Sequence, residues 1–236
     1  MMSWQDLIER AVAPALIDKV PRDHTQPDAD FRRRRIVVAV VLVLGATLLG
    51  FSLAVRPGDS LFYPLTLAVA ATWVIGGLAS GPLHLGYIPF RGTLRRPFGT
   101  PIAIGLLASA VFVLGALIVR EIGPLRDYVQ NVLEHARKGS IVLITIVTLL
   151  NGIAEEVFFR GALFAAIGRS HPVVISTVIY ALATVATGNP MLVFAAVALG
   201  LVLALQRRAS GGILASMLTH VTWSAVMLFA LPPLLA

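Results

Sequence analysis

Residues 140–166 read SIVLITIVTLLNGIAEEVFFRGALFAA, an apolar run that carries three charged side chains. A helix needs about 20 apolar residues to cross a bilayer, and this run exceeds that length. Its charged residues are Glu155, Glu156 and Arg160. Charges at membrane depth are costly, so such residues usually face the interior of a helix bundle and have a function. The run therefore predicts a membrane-spanning helix with a polar site inside it.

The rest of the chain is similarly apolar. Of its 236 residues, 57% are hydrophobic and 13% are charged, and the charged share is about half that of an ordinary soluble domain. This composition excludes a soluble globular fold and a disordered chain, and it predicts an all-α, polytopic membrane helix bundle. Seven apolar runs are the predicted spans: 36–55, 61–80, 100–119, 140–166, 173–187, 190–206 and 212–235.

The basic residues predict the orientation of the bundle. The net charge of +7 is compatible with nucleic-acid binding, but the charges lie in short blocks between the apolar runs. Of the 19 Lys and Arg residues, 13 fall in segments on the same side as the N-terminus. Such an excess predicts a cytoplasmic N-terminus. We therefore expect the lipid bilayer as the partner, no nucleic acid, and a multi-pass protein of the plasma membrane. The short loops and the preference for Arg over Lys suggest a bacterial source.

Two domains are predicted, a cytoplasmic segment 1–35 and a transmembrane domain 36–236. The first 20 residues place apolar side chains at helical spacing, which is equally consistent with a helix on the membrane surface and with a loosely ordered tail. These side chains are Leu7, Ile8, Ala11, Ala15 and Leu16. No small-residue cleavage site follows the run 36–55, so we predict a retained anchor. Residues 120–139 are predicted to form a loop with a short amphipathic helix on the opposite side.

The three charges within 140–166 differ in their expected partners. Glu156 and Arg160 are four residues apart, so they share a helix face and can pair. Glu155 is turned about 100° from its neighbour and has no local partner, which makes it a candidate general base. The alternative is a buried ion pair that stabilises helix packing.

His220 is the other ionisable residue inside a predicted span. It lies about 12 Å into the last run, and Glu155 lies about 20 Å from the end of its own run at Gly168. Both runs reach the cytoplasm at these ends, so we expect the two side chains to share a chamber. A lone histidine in an apolar helix is, by itself, more often a hydrogen-bonded packing residue than a ligand or a catalyst.

Two stretches resemble a known family. Residues 151–161, NGIAEEVFFRG, are similar to the first motif of the CPBP intramembrane proteases, the CAAX-processing and bacteriocin-processing group. That motif has two glutamates, three residues, then an arginine. Residues 199–220, LGLVLALQRRASGGILASMLTH, resemble the last motif region, with a glycine-bearing helix, a basic turn and a histidine-bearing helix. The resemblance covers about 140–230.

The resemblance implies an intramembrane endopeptidase. Glu155 is then the general base that activates a water, and His220 polarises or positions water and substrate. Glu156 and Arg160 support them. The implied substrate is a peptide or protein presented from the cytoplasmic side.

Three further positions correspond to family positions that support substrate or oxyanion. Tyr180 is the aromatic residue of the middle motif, but Thr184 stands where that motif has histidine, and Ser224 replaces the usual asparagine. Serine keeps a hydrogen-bond donor, whereas threonine is neither a base nor a good zinc ligand. The chain has no cysteine, so zinc is suggested only by the resemblance and no cofactor is predicted. His171, next to Pro172, is predicted to be a loop residue.

Alternatives remain open at this stage. Thr184 is compatible with a non-catalytic descendant of the same fold, one that serves as a scaffold or an accessory subunit of another membrane complex. Asn151, Thr184 and Ser224 can also form hydrogen bonds between helices. A small-molecule transporter is supported only by the intramembrane charges, and the sequence shows no internal repeat that favours it.

Overall fold

The structure, a computed structural model, describes residues 12–22, 24–90 and 92–235. Helices account for most of this part of the chain. In chain order they are α1 (Asp28–Ala54), α2 (Phe62–Ala79), α3 (Gly99–Val119), α4 (Gly123–Lys138), α5 (Ile141–Glu155), a π-helical segment (Glu156–Leu163), α6 (Phe164–Ile167), α7 (Pro172–Val185), α8 (Pro190–Ser210) and α9 (Leu214–Leu234). A small antiparallel hairpin, β1 (Ile88–Phe90) and β2 (Thr93–Arg95), precedes α3.

Within the described residues, six helical stretches are long and apolar enough to cross a membrane. They are α1, α2, α3, the continuous stretch Ile141–Ile167, α8 and α9. The remaining apolar helix, α7, has 14 residues and is about 21 Å long at the usual rise, which is short of a bilayer core of about 30 Å. The predicted all-α, polytopic membrane bundle is confirmed, and the fifth of the seven predicted runs forms a shorter helix.

Two helices extend beyond the apolar runs that predicted them. Helix α1 begins at Asp28 and therefore includes the four arginines 32–35, and α8 continues through Arg207 and Arg208 to Ser210. The sequence predicted the four arginines in the segment before the first span, and Arg207 and Arg208 in a turn after the sixth run; both expectations are wrong. Arginine is a good helix former, so the helical hydrogen bonding continues past the end of the apolar run.

The core lies where α1 and α2 meet the π-helical segment. The ring of Trp73 is fully buried. Its centroid lies 4.5 Å from that of the Phe158 ring and 5.1 Å from that of the Phe159 ring. Helix α1 approaches this indole at Gly45, where an added Cβ would come within 2.1 Å of Trp73 Cη2. The close contact fixes α1 and α2 against the segment that carries the charged residues.

One end of the bundle, here called the arginine-rich end, gathers the start of α1 and the ends of α6 and α8. Arg35 Nε donates to the carbonyl oxygen of Ala166 at 3.0 Å. The backbone N–H of Tyr87 donates to Ser210 O at 2.9 Å. These segments are the ones that the alternating topology assigns to the cytoplasmic side, and their assignment to the cytoplasm itself stays a prediction.

Helix α4 covers the opposite end. The side chain of Gln130 donates from Nε2 to Leu235 O at 2.7 Å, and Asn189 Nδ2 donates to Tyr128 O at 2.7 Å. The short helix predicted within 120–139 is thus confirmed. Its hydrogen bonds connect it to the start of α8 and to the end of α9.

The N-terminal segment is described only in part. A single π-helical turn, Ala13–Ile17, has Ala15 buried, and the N–H of Val20 donates to Ala209 O at 3.0 Å. The segment therefore lies against the end of α8. The surface helix considered for Leu7, Ile8 and Ala11 lies outside the described residues.

Candidate functional site

The charged residues lie where the backbone of the fourth span changes its winding. Helix α5 ends at Glu155, and the π-helical segment begins at Glu156 and has every residue buried. Such segments are rare and occur frequently at functional sites, because the wider winding reorients side chains within a helix. No sequence pattern predicted this change.

Glu156 forms the buried centre of the site. Its Oε1 accepts a hydrogen bond from Arg160 Nη1 at 3.0 Å and another contact from His220 Nδ1 at 3.0 Å. Glu156 is 0% and Arg160 1% exposed. The predicted pairing of these two residues is confirmed. Since an ionised carboxylate only accepts hydrogen bonds, the proton lies on His220 Nδ1, which leaves Nε2 for chemistry.

Glu155 has a different environment. The Tyr180 hydroxyl on α7 donates to Glu155 Oε2 at 2.5 Å. Glu155 is only partly buried, and within the described part of the chain its Oε1 has no hydrogen-bond partner. The two adjacent carboxylates therefore differ. Glu156 is buried and paired with a positive charge, whereas Glu155 is partly exposed and has a hydrogen-bond partner on one oxygen.

Tyr180 connects the two carboxylates. Its ring lies 4.6 Å from the Arg160 guanidinium carbon and 4.6 Å from the Phe159 ring centroid. A cation over an aromatic face is attracted by the ring quadrupole. The ring therefore holds the arginine that neutralises Glu156, while the hydroxyl of the same side chain orients Glu155.

His220 contacts the second glutamate and not the first. Helix α9 approaches α5 at Gly152, where an added Cβ would lie 3.7 Å from His220 Cδ2 and 3.7 Å from Ser224 Oγ. Gly152 is three residues before Glu155 and four before Glu156, so all three lie on neighbouring parts of one helix surface. The chamber expected between Glu155 and His220 is thus occupied, on the His220 side, by Glu156.

The remaining predicted positions are less directly engaged. Thr184 Oγ1 donates to Tyr180 O at 2.9 Å within its own helix, and Asn151 Nδ2 donates to Val147 O at 2.9 Å within its own helix. Ser224 is buried beside the Gly152 approach. His171 is exposed at the turn before α7, with a left-handed φ of 47°, so it does not reach the site.

Two contacts of Arg160 were not predicted as part of the site. Its Nη2 donates to Gly200 O at 3.1 Å, and its own carbonyl oxygen accepts from Arg207 Nε at 2.6 Å. Gly200 and Arg207 are seven residues apart on α8, a spacing that places them on one helix face. The seven-residue spacing is visible in the sequence and indicates a shared helix face. It does not indicate that this face contacts Arg160.

The donor set does not fit a zinc ion. Among the described residues, no group of three His, Cys, Asp or Glu side chains surrounds a common point. The one imidazole of the site is bonded to Glu156, which also pairs with Arg160. Structural and catalytic zinc sites use three or four protein ligands, so we derive no step through a metal.

Comparison with protein families gives one informative match. Residues 137–226 match the family described as Rce1-like, Type II CAAX prenyl endopeptidase Rce1-like. Neither the comparison with curated proteins nor the comparison with solved structures gives a match. The matched residues contain both glutamates of the site, its arginine and its histidine, in agreement with the resemblance that the two motifs carry. The segment that holds the site in this multi-pass membrane protein is therefore similar to the CPBP, or CAAX protease, family.

Proposed function

We propose that this protein is an intramembrane endopeptidase of the CPBP type that uses Glu155 to activate a water. The unequal setting of the two glutamates supports the proposal. Glu156 is fully buried, with two partners on Oε1 and none on Oε2, whereas Glu155 is partly exposed and has a partner on Oε2 alone, among the described residues. A general base needs an oxygen within reach of the proton that it takes, and Oε1 of Glu155 meets that need.

The proposed reaction is hydrolysis of a peptide bond. Glu155 takes a proton from water as the water oxygen bonds to the carbonyl carbon, and the carbonyl oxygen becomes an oxyanion. The same proton then passes to the leaving nitrogen as the C–N bond breaks, which gives an amine and a carboxylic acid, and the acid then loses its proton to water. We assign to His220 Nε2 the positioning of the water, because the contact between Nδ1 and Glu156 fixes the ring and leaves Nε2 as an acceptor for a water proton.

The proposed substrate is a peptide or membrane-protein segment that enters from the cytoplasmic half of the bilayer. The matched family's description names a CAAX prenyl endopeptidase, so a prenylated C-terminal peptide is one useful probe beside an unmodified peptide. We propose the plasma membrane of a bacterial cell as the location.

The experiment compares Glu155→Gln with the native protein on both peptide probes, with the full chain in liposomes and products identified by mass spectrometry. General base catalysis contributes about 10²–10⁴-fold, so we expect a rate loss of that size. Glu134→Gln is the matched control, since Glu134 is an exposed carboxylate paired with Lys138 on α4. Full activity of Glu155→Gln would refute the assignment.

A second candidate is a non-catalytic membrane subunit. Thr184, at the position of a family histidine, has its hydroxyl hydrogen bonded within its own helix and offers no second base. This reading predicts that a membrane protein co-purifies in stoichiometric amount and that its retention is unchanged by Glu155→Gln. Cleavage that depends on Glu155 contradicts it.

A further inference from the structure

A polar cavity lies at the arginine-rich end, apart from the two glutamates. Its volume is about 390 Å³, within the usual range for ligand sites. The N-terminal segment, the loop after α2 and the ends of α6 and α8 enclose it. The lining residues used below are Arg22, Pro82, His84, Gly168, Arg169 and Arg207.

The cavity has a strong positive charge. Arg22, Arg169 and Arg207 line it, and no aspartate or glutamate is among its described lining residues. Partial removal from water and the charges of Arg207 and Arg34 hold the pKa of His84 below its ordinary value. The field in the cavity therefore disfavours a further cation and favours an anion.

Within the described residues, the hydrogen bonds of Arg22 and Arg207 go to neutral backbone acceptors. Arg22 Nη1 donates to Arg208 O at 2.7 Å, and Arg207 Nε donates to Arg160 O at 2.6 Å. In the described part of the chain neither has an ion-pair partner. Clustered arginines without carboxylates repel one another, so an anion that accepts hydrogen bonds from them would stabilise this arrangement.

Arg34 provides an independent observation. Its side chain is 0% exposed, and it donates to Gln26 Oε1 at 3.2 Å and to Pro82 O at 3.0 Å, both on residues that line the cavity. Its Nη1 is buried without a partner among the described residues. A buried donor left unpaired is costly, more so when charged, and the charge of an anion in the neighbouring cavity would offset part of that cost.

The position of the cavity identifies the kind of anion. It lies beside Gly168 and Arg207, where α6 and α8 end, and so at the level where membrane helices leave the hydrocarbon core. Exposed arginines 32 and 33 on α1 flank this end. Basic pockets between helices at the cytoplasmic surface bind the headgroups of anionic lipids.

We propose that this cavity binds the phosphate of an anionic phospholipid headgroup. Arg22, Arg169 and Arg207 donate to the phosphate oxygens. The buried Arg34 lies close to the cavity and adds a fourth positive charge. The proposal goes beyond the proteolytic function: loss of cleavage in Glu155→Gln leaves it standing, and loss of lipid binding leaves the proposed protease standing.

The experiment uses the full chain in neutral detergent, with thermal unfolding and native mass spectrometry as readouts. Phosphatidylglycerol is titrated against phosphatidylcholine with the same acyl chains, and inorganic phosphate forms a third arm. A ligand that binds only the folded state raises Tm, so we expect phosphatidylglycerol to raise Tm and to stay bound in the mass spectrum. Phosphatidylcholine and inorganic phosphate are expected to do neither.

The variants Arg22→Gln and Arg169→Gln test the cavity itself. Both arginines are exposed to solvent, so the fold is expected to tolerate the changes. Each should weaken phosphatidylglycerol binding about fivefold, the usual contribution of one arginine near an anionic surface. Arg33→Gln is the matched control, because it removes the same charge from the same end outside the cavity, and its binding should stay within about twofold of the native value.

Four outcomes overturn the proposal. An equal rise in Tm with phosphatidylglycerol and with phosphatidylcholine shows that headgroup charge is not recognised. Equal losses in Arg22→Gln and Arg33→Gln show general surface attraction. A full shift with inorganic phosphate, or displacement of the lipid by a peptide with a free C-terminal carboxylate, assigns the cavity to a soluble anion or to a peptide.

Discussion

Tyr180 donates a 2.5 Å hydrogen bond to Glu155, a residue 25 positions earlier on another helix. The same ring lies over Arg160, which pairs with Glu156. One side chain of α7 therefore holds both carboxylates of the fourth span in different states. This contact gives the short helix α7 a role in the site.

Tyr180→Phe should slow cleavage about tenfold or more while leaving the fold intact. The substitution keeps the ring over Arg160 but removes the donor to Glu155, and a hydrogen bond to a charged group contributes about 1.5–3 kcal/mol. Steady-state cleavage in liposomes measures the effect as a fall in kcat. Tyr63→Phe is the control, because the Tyr63 hydroxyl accepts from Ser140 N at the other end of the bundle. An equal rate loss in both variants contradicts the assignment.

Glu156→Gln should destabilise the protein by about 3–5 kcal/mol, the usual cost of leaving a buried charge without its partner. Arg160 is then the uncompensated charge, since it is 1% exposed. Unfolding in mixed detergent micelles measures the change. The double variant Glu156→Gln/Arg160→Met should lose less stability than the sum of the single variants, which a double-mutant cycle resolves. Additive losses would show that the two residues are not coupled.

Gly200→Ala should impair cleavage more than it affects stability. An added Cβ lies 3.1 Å from Arg160 Nη2 and 3.1 Å from Tyr180 Cδ1, so both side chains must shift, and small displacements at a reacting centre lower rates strongly. Gly115→Ala on α3 is the matched control, because its Cβ meets no atom within 4 Å. Unchanged kcat in Gly200→Ala would show that the site tolerates this shift.

Lowering the pH should destabilise the protein through His84. Its folded-state pKa lies below the ordinary value of 6.5, through partial burial and the charges of Arg207 and Arg34. The unfolded chain therefore takes up a proton first, so stability is full above about pH 6.5 and falls as the pH drops below it. Thermal unfolding from pH 8 to pH 5 measures this, and His84→Gln should make the fall smaller. An identical fall in His84→Gln assigns the effect to other groups.

Much of the site follows from local sequence. The pairing of Glu156 with Arg160 follows from a four-residue spacing, and the different position of Glu155 follows from the helical repeat. Neither inference needs knowledge of another helix. The hydrogen bond from Tyr180, the contact of His220 with Glu156 and the carbonyl of Gly200 all join separate helices, and no local pattern specifies such contacts.

The sequence by itself determined that this is an all-α membrane protein with charge misplaced inside one span, because bilayer thickness and the cost of buried charge act on each segment separately. Tertiary structure alone decided two features. It placed Tyr180 beside Glu155, and it brought Arg207, expected in a turn, to the lining of a basic cavity beside the buried Arg34, which bonds to two of the lining residues. Helix packing decides such features, since it brings distant residues into one site and sets which charges leave water.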